Sequence, residues 1–257
     1  MAVTPPPGGH GPGTATGTVA AAPRPPWHVA AFVLAVVAVV VLTIVLAAAA
    51  QDRGPGDTRN VSVAADSVRT VDIQGPPGQL TITAVRASRV TLSGPVHWTG
   101  RSAVIVNGPR LVNGVLHLAY RCAAHSPCTG HLRLVVPQHC GIVLAQPSGH
   151  VIVTGLAGPL RITARSADIS AAGLRSPSLV AFLTSGHLSA WFGSPPGRLG
   201  LTLVSAQATV HVPADAAYRV SQQVTSGYLH AGIPQASTAK RTITARIDSG
   251  ELELLTR

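Results

Sequence analysis

The 257-residue chain is short of acid. It has nine Asp and Glu against nineteen Lys and Arg, and only two of the nine are glutamates. Those two, Glu251 and Glu253, flank Leu252 near the C-terminus, a poor platform for the paired carboxylates that glycoside cleavage requires. Aromatics make up 4% of the residues, so a core must be built from Val, Leu, Ile and Ala. Lysine occurs once, at Lys240, and the arginines are scattered singly, so no basic run points to nucleic acid. The chain has no Gly-rich phosphate loop, no nucleophile elbow and no His-Glu-x-x-His. These absences assign no catalytic residue and no cofactor, and the chain is read as a non-enzyme.

What is abundant is turn-forming residue and apolar residue: 26 Gly, 21 Pro and 46% hydrophobic content. Turn signals spread along a chain rich in aliphatic residues favour many short strands over long helices. The composition divides the chain into four parts. Residues 1–27 hold almost nothing but Pro, Gly, Ala and Thr with one arginine, and are expected to form a disordered tail. Residues 28–50 contain an uncharged run, Val29 to Ala50, that as a helix would span about 33 Å, enough to cross a bilayer core. A cleaved signal peptide is the rival, because "LAAAAQD" offers small residues, but the run exceeds the usual signal length. Residues 51–60 are a polar linker, and 61–257 alternate apolar and polar residues.

Beyond the apolar run, eighteen basic residues against nine acidic leave +9. Arg53 and Arg59 follow the run and only Arg24 precedes it, so charge counting does not favour a cytoplasmic tail. The tail is nonetheless placed in the cytoplasm, because the C-terminal portion has the character of an exported domain. The expected location is the cell membrane, single-pass, with residues 61–257 outside. A basic ectodomain attracts anionic envelope polymers or acidic lipid headgroups.

The tripeptide Asp248-Ser249-Gly250 is the one on which aspartic proteases carry a catalytic carboxylate, and it has relatives along the chain. "SGHVIV" begins at Ser148, "SADISA" at Ser166, "SGHLSA" at Ser185, "SAQATV" at Ser205, "SGYLHA" at Ser226 and "SGELEL" at Ser249. The intervals of 18, 19, 20, 21 and 23 residues mark a repeat array. Three and five positions after each serine stand apolar pairs such as Val151/Val153, Leu188/Ala190 and Leu252/Leu254. The positions between them are polar except Ile152, so one set faces a core and the other faces water. "LRITARS", "LVAFLTS", "LGLTLVS" and "ITARIDS" supply a second strand before the serine, and the small pair marks the corner. Upstream, "VRTVDIQGPPGQLTITAVRASRVTLSG" alternates similarly, with Ser88 in a degenerate corner. Asp248 therefore fills a turn position held by Thr184 and Thr225 in sister repeats, and no second Asp-Ser/Thr-Gly exists to share its proton.

The predicted fold is all-β, a β-solenoid or β-helix-like domain of about 20-residue repeats, preceded by one transmembrane helix. A membrane span followed by Ser-Gly/Ala-x-φ-x-φ repeats, with runs such as "GLAGPLRITARSADIS", resembles a bacterial putative-adhesin family, domain of unknown function 4097, common in actinobacteria. The resemblance covers about residues 60–257 and implies an exposed β-solenoid outside the cell. Family members often carry a cysteine pair before the regular repeats, as in "YRCAAHSPCTGHLRLVVP". They often have Asp or Glu after the corner pair, where this chain has His150, His187 and Gln207.

Outside the membrane, Cys122 and Cys128 are expected to form a disulfide. The rival is a metal site drawing on His125, His131, His139 or Cys140, although the spacing is wider than structural zinc sites use. Cys140 itself is expected to be a small buried residue at a strand start. The candidate exposed binding row is His150, Asp168, His187, Gln207, Tyr228 and Glu251. If each repeat makes one coil, His150 neighbours Asp168; if a coil consumes two repeats, it neighbours His187. The leading function is adhesion, envelope binding or scaffolding. An envelope-sensing transmembrane regulator and a polysaccharide-acting β-helix enzyme are the alternatives.

Overall fold

The computed structural model describes residues 56–58, 60–98, 105–121 and 128–257. Their strands are β1 (Gly56–Thr58), β2 (Val61–Ala64), β3 (Thr70–Gln74), β4 (Gly78–Val85), β5 (Arg89–Ser93) and β6 (Pro95–Trp98). These are followed by β7 (Ile105–Val112), β8 (Val115–Arg121), β9 (Cys128–Pro137), β10 (Gly141–Thr154), β11 (Leu160–Leu174) and β12 (Ser178–Phe192). The last are β13 (Arg198–Val212), β14 (Tyr218–Val224), β15 (Tyr228–Gly232), β16 (Arg241–Ile247) and β17 (Glu251–Thr256). The described chain is all-β apart from one 3-10 turn, Ala65–Ser67. No helix among the described residues is long and apolar enough to cross a membrane, and the expected tail and span, 1–27 and 28–50, lie outside them.

The regular part is a parallel, in-register stack of bent rungs. Each rung has one leg before the Ser-Gly or Ser-Ala corner and one after it. In β12, Leu179, Ala181 and Leu183 are buried before the corner, and Leu188, Ala190 and Phe192 after it. The buried positions change from odd to even across Thr184–His187, so the corner turns both legs' apolar sides onto one core. In this rung Gly186 takes the corner with φ +100, and a Cβ there would lie 2.2 Å from the Ala167 carbonyl oxygen of the rung beneath, whereas Ala167 and Ala206 hold the same place in their rungs without a positive φ. Gly/Pro-rich segments such as "GLAGP" (155–159) and "GSPPG" (193–197) then return the chain for the next rung.

Consecutive rungs pair Ile142 with Leu160, Leu160 with Leu179, and Leu179 with Leu199, so one repeat makes one rung. The order then departs from the chain. β13 is followed in space by β16 and β17, with Leu199 opposite Ile243 and Ala208 opposite Leu252. β14 and β15 lie beyond them, pairing Tyr218 with Arg241 and Leu229 with Leu252. The other end mirrors this arrangement: β3 and β4 sit between β10 and the rung made by β8 and β9. The rungs nearest each end of the described domain in sequence are thus clamped one layer inside the stack.

One expectation about the upstream region is corrected. Its corner is at Pro76–Gly78, where Gly78 stands opposite Gly149, and Ser88 instead precedes β5, where its carbonyl accepts the Ala65 N–H. β5 and β6 also run antiparallel to β9, a pairing the alternation alone does not reveal.

Candidate functional site

Ten of the twelve apolar positions after the serines are buried; Leu229 and Ala231 are half-buried because their rung ends the stack among the described residues. Between them, the predicted row is brought together on the outer side of the post-corner legs. His150 stands opposite Asp168, Asp168 opposite His187, and His187 opposite Gln207. Gln207 is followed by Glu251 and then by Tyr228, which corrects the expected order of the last two. The row also extends the other way, through Gln79 to His131, because β4 and β9 share the register.

Asp168 is the polar hinge of the row. His187 Nδ1 lies 2.9 Å from one carboxylate oxygen, and His150 Nδ1 lies 3.7 Å from the other. The His187 hydrogen bond holds the Asp168 carboxyl below its usual range, aided by the charge that each histidine carries when protonated. All three side chains are more than half exposed, so the pairing orients them and adds little stability. On the pre-corner legs, His117 Nδ1 lies 3.0 Å from Asp72 Oδ2.

The post-corner legs hold a groove of about 500 Å³ that includes part of the row. Its lining includes His150, Asp168, His187, Ile152, Ser170 and Trp191. Trp191 is stacked on His211 of the next rung, with ring centroids 5.4 Å apart and planes 4° from parallel. Sequence reading missed Trp191 because it lies six residues after its serine, one step past the positions compared. Its signal was a large aromatic at an outward parity.

Cys140 is a buried free thiol whose pKa burial raises to about 11, which suits packing and not reactivity. Cys128 is buried and disulfide-bonded; Cys122 and His125 lie outside the described residues. Among the described residues no three His, Cys, Asp or Glu side chains are grouped to hold a metal ion. Asp248 sits at its corner, half-buried, with a carboxylate oxygen 3.8 Å from Arg246 Nε and backbone bonds to Leu203 and Ser226.

No protein-family profile matches the chain, and no curated protein matches it. Solved structures that it is similar to include a putative cell adhesion protein from Clostridium sporogenes, at 9% identity and TM-score 0.46, covering 78% of this chain and all of that one. A putative adhesin from Bacteroides fragilis matches at 9% identity and TM-score 0.35, over 78% of this chain and 97% of its own. A putative lipid binding protein from Parabacteroides distasonis matches at 9% identity and TM-score 0.29, over 79% and 98%.

Proposed function

We propose that residues 61–257 are a β-solenoid held outside the cell by a single membrane span, and that they bind anionic envelope polymers without turning them over. The observation that carries this reading is the periodicity of the surface. Rungs in common register present outward side chains at steps of about 4.8 Å, so separate weak contacts add along the stack. The pre-corner legs supply the charge: Arg161, Arg165, Arg198 and Arg246 are exposed there. Dispersed arginines suit a polymer with repeated negative charge, since each pairs singly and the contacts add.

The test uses the full-length protein in detergent micelles and immobilised poly(glycerol phosphate). Retention should fall steeply between about 50 and 300 mM salt, because surface charge pairs are screened over that range. Asp248→Asn should retain the polymer as well as the parent does. Absence of retention at low salt, salt-independent retention, or release of cleaved polymer would each reject the reading.

A further inference from the structure

Two faces of the rungs differ in chemistry. The arginines invoked above lie on the pre-corner legs, whereas the groove beside Trp191 lies on the post-corner legs and has no Arg or Lys in its lining. Its one acid, Asp168, is held between two histidines. An anionic ligand would find no fixed positive charge there.

Trp191 is 37% exposed, and its environment is one-sided. β12 lies between β11 and β13, and His211, which stacks on the indole, belongs to β13. The other indole face is therefore turned toward β11 and β10, whose Ser170 and Ile152 line the same groove. At that level β11 departs from regular register between Ala171 and Leu174. The residues in that interval are Ala172 and Gly173, so the β11 position directly beside Trp191 carries no side chain larger than a methyl group. Farther along the groove, Asp168 and the two histidines offer oriented acceptors and donors, with Ser170 and Ser189 hydroxyls between. Three adjacent rungs span about 10 Å from first to last, enough for one or two linked six-membered sugar rings.

We propose that this groove is a saccharide subsite in which the free face of Trp191 stacks on the apolar C–H face of a neutral pyranose. The ring hydroxyls reach the serines, and a linked second ring reaches Asp168 and His187, four residues or about 13 Å along the leg from Trp191. A sugar ring presents one apolar face and a polar rim, and this groove presents one aromatic face and a polar rim in matching order. His211 fixes the indole plane from behind, so little side-chain freedom is lost on binding. The site is independent of the charge-driven reading above, because it lies on the other legs and uses none of their arginines.

Full-length protein in a detergent without a sugar headgroup is titrated with neutral linear tetrasaccharides of glucose, mannose, galactose and N-acetylglucosamine, read by ligand-observed NMR. At least one should show saturable binding that is unchanged between about 50 and 300 mM salt, since no ion pair is involved. Trp191→Ala should weaken it at least about ten-fold, and Trp191→Phe, which keeps a ring, should weaken it less. Arg161→Ala with Arg165→Ala should leave it unchanged while weakening retention on poly(glycerol phosphate). Thermal melting of each variant reports whether the fold is kept. No saturable binding across the panel, parent-like binding by Trp191→Ala, or equal losses in folded Trp191→Ala and Trp191→Phe would overturn the site.

Discussion

Gln207 stands opposite Glu251, with its side-chain amide 3.3 Å from the carboxylate, while Tyr228 is opposite the far side of Glu251. Tyr228 is nearer to Gln207 in the chain, yet the rung that comes last has displaced it. On the side away from Leu179, Leu199 pairs with Ile243, forty-four residues on (243 − 199), and not with a residue about twenty positions further on. β14 and β15 find their parallel ladders in β16 and β17, apart from a single bridge between Tyr218 and Gln235.

Removing the last rung should therefore free the one before it. Truncation after Lys240 leaves β14 and β15 without their ladders. Limited proteolysis should then cut within 213–240 while the rungs up to Val212 resist. Resistance equal to that of the full chain would mean β14 and β15 can dock directly on β13.

Inside the regular rungs the fold was legible, because each serine resets an alternation that repeats locally. Leu188 and Leu203 could be assigned to the core from their distance to Ser185 and Ser205 alone. The stack order at the two ends was not legible. Which rung docks on β13 depends on pairing between distant strands, and both "SGYLHA" and "SGELEL" satisfy the same local pattern. The β7–β8 hairpin did leave a readable signal: Asn113-Gly114, with φ values of 50 and 78, is the dipeptide that tight hairpins favour. The site was legible as a row but not as a groove, since the free face of Trp191 depends on which strand lies to either side.

The two faces of one leg make a direct contrast. Leu188 is 1% exposed, so Leu188→Asp buries a carboxylate among aliphatic side chains and should cost several kcal/mol, about 3 or more, or prevent folding. His187→Asp, one residue earlier, places a second carboxylate beside Asp168 in solvent and should cost at most about 1 kcal/mol. Chemical denaturation separates the two, and equal losses would refute the assigned faces.

Gly186 tests the corner. Its φ of +100 is strained for any side chain, and the added methyl would meet the Ala167 carbonyl oxygen at 2.2 Å. Gly186→Ala should destabilise by about 2 kcal/mol or more. The same measurement on Ser185→Ala, beside it, should show a smaller loss, because that change removes only half-exposed hydroxyl contacts to Ser166 and the Arg165 carbonyl. A neutral Gly186→Ala would mean the corner relaxes freely.

The cysteines make a prediction about exported protein. With Cys140 free and buried, alkylation under native oxidising conditions should label no thiol readily. After denaturation without reductant, intact mass should rise by one label, leaving Cys122 and Cys128 protected as a pair. Three labels would rule that pair out.

Acid should reveal the Asp168 pairing. Its folded pKa is depressed, chiefly by the His187 hydrogen bond, so its carboxylate contribution is fully present above the unfolded value near 3.8. That contribution is lost as pH falls through the lower folded value. The group is exposed, so the effect is read better at the residue than in global stability. In a carboxyl NMR titration, Asp168 should titrate below 3.8 in the parent and move upward in His187→Ala. His150→Ala should move it less, because that ring is 3.7 Å away and contributes only through charge. Identical midpoints in the parent and His187→Ala would show that the imidazole does not hold the carboxylate in solution.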